Sequence, residues 1–98
     1  MLTINKSVEG GKALFSLEGR LDTVTAPDLE KELNPLDGVG SLCIDCKDLE
    51  YISSAGLRVL LSLQKTMNKQ GTMTLLNVRQ EVMEVFELTG FTDILSFA

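Results

Sequence analysis

The sequence predicts a single α/β domain, a mixed β-sheet of about four to five strands with helices packed on it. Three observations predict it. Two short β-prone runs, "LTINKSV" and "KALFSLEG", flank a glycine pair near the start. "SLCIDCKDL" is the most continuous apolar run and reads as a central buried strand. Two longer segments, "SAGLRVLLSLQKTMNKQG" and "RQEVMEVFELTG", have the length and apolar spacing of amphipathic helices and alternate with strand-like runs. The order reads β-β-α-β-α-β-α, with a short strand or apolar tail at the end. The first hairpin is antiparallel, and the later strand–helix–strand unit is a right-handed parallel crossover.

Each element has a local reason. Leu2 and Ile4, then Ala13, Phe15 and Leu17, alternate with polar positions, so each of the first two strands buries one face. Gly10 and Gly11 supply the positive φ that a tight hairpin turn requires. In "RLDTVTAPDLEKELNPL", Asp22 or Thr23 begins a polar turn, Thr25 is a candidate N-cap, Pro27 sits near the first helical position and Asp28 in the first turn. Leu29 and Leu33 mark the inner face, Pro35 ends the short helix and "DGVG" is a loop. In the next helix Leu57, Leu60, Leu61 and Met67 form an apolar face that Val59 and Leu63 widen, and Gly71 is the expected stop. "TMTLLNV" is another strand. In the last helix Val82, Val85 and Phe86 share a stripe and Gly90 is the C-cap. The expected core includes Phe15, Leu17, Leu42, Ile44, Leu60, Leu75 and Phe86.

Composition narrows the function. The 98 residues fit one domain, 1–98, without a linker, repeat or low-complexity tract. A net charge of −5 ranks nucleic acid and anionic lipid low as partners. The chain has no histidine, and so lacks the usual general base and the commonest metal ligand. Neither a metal nor a cofactor is expected. The start, "MLTINKSVEGG", lacks a basic stretch followed by an apolar run, and no apolar stretch approaches the ~20 residues of a membrane span. The expectation is a soluble cytoplasmic protein. Cys43 and Cys46 form a CxxC, but on a strand positions three apart point to opposite faces, so two reduced structural thiols are expected.

The chemistry concentrates in "YISSAGLRVLL", residues 51–61. A hydrolase nucleophile in a strand-to-helix turn needs a glycine two residues to each side. Gly56 follows Ser54 by two, but Ile52 occupies the other position and no histidine exists to take the proton. Nothing marks Lys47 or Lys65 as a substitute base. A second reading makes Ser53 or Ser54 the N-cap of the helix. A third makes the pair a phosphorylation address, because a helix N-terminus tolerates an anion and a phosphate there would change the charge presented to a partner. Local grammar leaves the second and third readings compatible. A GxxxxGK phosphate loop is absent.

Three segments in order resemble the STAS domain family of bacterial anti-sigma factor antagonists, over nearly the full length. "LEGRLDTVTAPDLEKEL" is similar to the family's second strand, Gly-x-Leu-Asp turn and first helix. "LCIDCKDLEYISSAGLRVLLSLQK" resembles its central strand, phosphoacceptor loop and following helix. "VMEVFELTGFTDILSF" matches its ending, a helix closing in Leu-Thr-Gly before an apolar tail. The resemblance implies a non-enzymatic regulator. Its unmodified form binds an anti-sigma factor that is also a serine kinase and frees the sigma factor; phosphorylation releases it and a phosphatase resets it. Aligned on Gly56-Leu57, the acceptor falls on Ser54, with Ser53 as the alternative. Ser53 takes the place of the family's Asp and Ala55 that of its last hydroxyl residue. Asp22 corresponds to a family acidic residue near the acceptor loop, either a turn carboxylate or a partner contact. The implied partner-binding set is Asp22, Thr23, Ser53, Ser54, Gly56, Leu57 and Arg58. The competing reading is a non-switching STAS docking subunit of a lipid-transport or stress-signalling assembly.

Overall fold

The structure is a computed structural model that describes residues 1–33 and 38–98. The order is β1 (Leu2–Glu9), β2 (Lys12–Leu21), α1 (Ala26–Leu33), β3 (Ser41–Ile52), α2 (Ser54–Asn68), β4 (Thr72–Leu76) and α3 (Gln80–Thr89), followed by a short 3-10 turn at Phe91–Asp93. The strands form one four-stranded sheet in the order β1-β2-β3-β4. β1 pairs antiparallel with β2, while β2–β3 and β3–β4 are parallel. The α/β class and the mixed sheet are as the sequence predicts. Gly10 and Gly11, at φ 57° and 79°, make the hairpin turn. The side chain of Leu33 and the expected stop at Pro35 lie outside the described residues.

One apolar core runs the length of the domain. Phe15, Leu17, Leu42, Ile44, Leu60, Leu75 and Phe86 are all buried, as the alternation of apolar residues predicts. Inward residues of β2, β3 and β4 meet α1 through Ala26 and Leu29, α2 through Leu57, Leu60, Leu63 and Met67, and α3 through Val82 and Phe86. Cys46 points into this core and Cys43, half-buried, to the opposite face of the sheet, and both thiols are free. Burial pushes the Cys46 thiol up to about 12, with Asp45 adding to the effect.

Three expectations change. β3 runs through Ile52 rather than ending near Leu49. Its register against β2 shifts twice, between Ser16 and Glu18 and between Gly19 and Arg20. These bulges insert residues into β3, so Cys46, Leu49 and Ile52 all face inward although spaced by three. Period-two reading ends the strand where its period changes. On α2, Leu61 is only half-buried and Gln64 takes the inward place. Gln64 lies four residues after Leu60 and three before Met67, on the stripe, whereas Leu61 sits on its flank. α2 stops at Lys69, not Gly71. Of the two endings the sequence allows, a short strand or an apolar tail, the chain takes the second, a 3-10 turn and a single parallel bridge, Leu75 to Phe97. Phe97 is fixed there by Phe86, with ring centroids 5.4 Å apart.

Gly71 has a tertiary role. A Cβ at this position would run into the Gly40 carbonyl oxygen, and the Thr72 N–H donates to that same oxygen at 3.0 Å. Gly71→Ala should therefore destabilise the fold by about 1–3 kcal/mol, because backbone cannot step aside as a flexible side chain can. Gly40→Ala, where the added methyl meets nothing within 4 Å among the described residues, should stay within about 0.5 kcal/mol. Denaturant unfolding of both variants checks the contrast.

Candidate functional site

The parallel strands β2 and β3 end side by side, with Leu21 opposite Ile52. One residue further on, the Ser53 N–H donates to the Leu21 carbonyl at 2.9 Å. This bond sets the turn after β2 beside the start of α2. Asp22, Thr23, Ser53, Ser54 and Arg58, distant in sequence, therefore share one end of the sheet.

The turn after β2 is organised by Asp22. Its Oδ1 accepts the N–H groups of Val24 and Thr25, each at 3.1 Å. The Thr25 hydroxyl accepts the Asp22 N–H at 2.9 Å and donates to the Arg20 carbonyl at 2.8 Å. Thr25 therefore precedes α1 as expected, but its hydroxyl reaches back into the turn instead of capping the helix. The Thr25 N–H holds the Asp22 carboxyl below its ordinary value, with some opposition from desolvation and further help from the Thr25 hydroxyl and the Val24 N–H. The other oxygen, Oδ2, lies 3.8 Å from Arg20 Nε. The Arg20 guanidinium in turn stacks 4.1 Å from the Tyr51 ring centroid.

The two serines divide the work. Ser53 is the N-cap of α2, with φ −100° and ψ 175°, and its Oγ accepts the Gly56 N–H at 3.5 Å. Its carbonyl accepts the Leu57 N–H at 3.0 Å. Ser54 is the first helical residue and is exposed. Its hydroxyl makes no hydrogen bond within the described residues. Gly56 and Leu57 are buried and so support the loop from beneath. A Cβ on Gly56 would come 2.7 Å from Leu21 Cγ and 2.9 Å from Ile52 Cγ1, so glycine lets the first turn of α2 sit down on the strand ends. Ala55 and Arg58 face outward onto a groove of ≈ 240 Å³ between α1 and α2, which Thr23, Pro27 and Glu30 also line. Among the described residues, no cluster of three or more His, Cys, Asp or Glu is placed to hold a metal. No described helix is long and apolar enough to cross a membrane.

The sequence profile of the STAS domain matches residues 3–98. The chain belongs to the STAS domain family. It is 37% identical over 91 residues to BtrV of Bordetella bronchiseptica, covering 90% of this chain and 78% of that protein. It is 34% identical over 85 residues to the anti-sigma-B factor antagonist of Bacillus subtilis, covering 85% of this chain and 78% of that one. Its fold superimposes on the crystal structure of an anti-sigma factor antagonist from Mycobacterium paratuberculosis with a TM-score of 0.88 and 25% identity, over 99% of this chain and 85% of the other.

Within this STAS domain, sequence reasoning missed two features of the site. Val24 stands 82% exposed at the tip of the Asp22 turn. An apolar residue inside the polar run "DTVTAP" was the available signal. The Arg20–Tyr51 pair had none, because their juxtaposition depends on the shifted β2–β3 register.

Two outcomes follow from this geometry. Ser53→Ala should cost about 1 kcal/mol through loss of the cap, whereas Ser54→Ala should change stability by less than about 0.5 kcal/mol. Thermal melts of the two variants distinguish the cap from its neighbour. Asp22→Ala removes a carboxylate whose folded-state pKa lies below its unfolded one. Such a group stabilises the fold above its unfolded value, and that contribution is lost as pH falls through the folded value. The stability gap between parent and Asp22→Ala should be widest near neutral pH and narrow below the ordinary value of 3.8, as read by denaturant unfolding at stepped pH.

Proposed function

We propose that this chain is an anti-sigma factor antagonist that works by binding and not by catalysis. The face around Asp22, Thr23, Ser53, Ser54 and Arg58 captures an anti-sigma factor that is also a serine kinase, and so frees a sigma factor in the cytoplasm. The kinase then transfers the γ-phosphoryl group of ATP to Ser54. The Oγ–P bond forms as the bond to ADP breaks, and the hydroxyl proton leaves. The resulting charge of about −1.5 to −2 ends binding until a phosphoserine phosphatase removes it.

The observation that carries this reading is the division of labour between the serines. Ser53 holds the cap and Ser54, without a side-chain hydrogen bond among the described residues, offers its hydroxyl to solvent at the first position of α2. A modification there leaves the hydrogen bonds of the fold intact, and the positive end of the helix favours the added anion. The relatives' names support the antagonist role.

Ser54→Asp should melt at or slightly above the parent temperature, because an anion at this helix end is favourable by about 0.3–1 kcal/mol. It should nevertheless weaken binding to a kinase-type anti-sigma factor by roughly tenfold or more, which is about 1.4 kcal/mol. Ser54→Ala should bind like the parent and accept no phosphate. Calorimetric titration and mass spectrometry read these outcomes. If Ser53→Asp weakens binding while Ser54→Asp does not, the acceptor is Ser53. If neither does, the switch is wrong and a non-switching docking role takes its place.

A further inference from the structure

We infer that Arg58 is the internal counter-ion of a phosphorylated Ser54, so that modification both adds an anion and withdraws a cation from the docking face. This inference rests on Ser54 being the modified serine, and it extends that reading from where the charge goes to what receives it.

Arg58 follows Ser54 by four residues on α2, and side chains at that spacing lie on one face with their Cβ atoms about 5–6 Å apart. The direction is also right. Long helical side chains lean toward the N-terminus and cover the turn before their own Cα, which for Arg58 is the turn that starts with Ser54. The neighbours do not compete for this face. Gly56 and Leu57 are buried beneath it and Ala55 is small, so Ser54 and Arg58 are the exposed side chains of the first turn. Arg58 has no ion pair or hydrogen bond within the described residues, so its guanidinium is uncommitted in the unmodified protein. It borders the groove between α1 and α2, with Glu30 on the far wall.

A planar guanidinium takes a phosphate with two parallel hydrogen bonds. Before modification, Arg58 is available to a carboxylate on the partner. After modification it turns to the phosphate one helical turn away. The partner then meets new negative charge and loses its cation together.

The test uses protein with phosphoserine placed at position 54 during translation, so that it does not depend on a kinase. Phosphorus NMR against pH reads the second ionisation of the phosphate. An ion pair favours the dianion, so Arg58→Gln should raise that ionisation by about 0.2–0.4 unit relative to the phosphorylated parent. Arg58→Lys, a cation without the planar fork, should fall between the two. Equal values in parent and Arg58→Gln, with both folded by circular dichroism, would overturn the inference. Absence of Ser54 phosphate in protein isolated from its own cells would instead overturn the switch and leave the ion-pair measurement standing.

Discussion

The site depends on the parallel pairing of β2 with β3 and on where that pairing stops. The last paired residues, Leu21 and Ile52, are both buried, and the chain leaves the sheet immediately after each. On one side it enters the Asp22 turn, on the other the cap of α2. The Ser53 N–H to Leu21 carbonyl bond is the last rung of the ladder and the first contact of the site. The side chains of the same two residues floor the place where Gly56 rests, so they set how closely the first turn of α2 approaches the sheet. Displacing either strand end by one residue would turn its apolar set away from the core. The relative position of Asp22 and Ser54 is therefore fixed by core packing, and no contact between those two side chains is required.

Groups that hold the fold together are kept apart from groups that face outward. At Asp22 the split runs through one carboxylate. Oδ1 satisfies two backbone N–H groups of the turn, while Oδ2 lies 3.8 Å from Arg20 Nε. At α2 it runs between two residues, with Ser53 capping and Ser54 exposed. Capping satisfies N–H groups that no helical carbonyl can reach. With that duty met by Ser53, the Ser54 hydroxyl can change its charge at little cost to the helix.

What the sequence discloses follows the range of the physics involved. Strands β1 and β2, their glycine turn, the Gly90 cap of α3 and the core set are local patterns of period two or 3.6, and they are legible. The length of β3 is not, because its bulges are defined only against β2. Gly71 reads as a helix stop from its neighbours, yet the constraint on it is the Gly40 backbone, 31 positions away. The strand-to-helix junction that carries the two serines was legible from "EYISSAGL". Which serine caps was not, since either satisfies the same local grammar. Val24 needed the turn to be built before its exposure meant anything.

Local charge bears on the proposed switch at this end of an acidic protein. The chain carries a net −5, so an anion added at an ordinary place on its surface deepens a charge already present. Within the Asp22 turn, the groove and the first turn of α2 the balance differs: Asp22 and Glu30 stand against Arg20 and Arg58, two acids against two cations. The proposed phosphate, of about −1.5 to −2, would turn that even balance net negative. On the proposed reading, a surface that meets a partner as locally neutral would then meet it as negative, with the change largest within about 10 Å, before salt screens it. At this site a single modification would therefore make a large relative change in what a partner encounters.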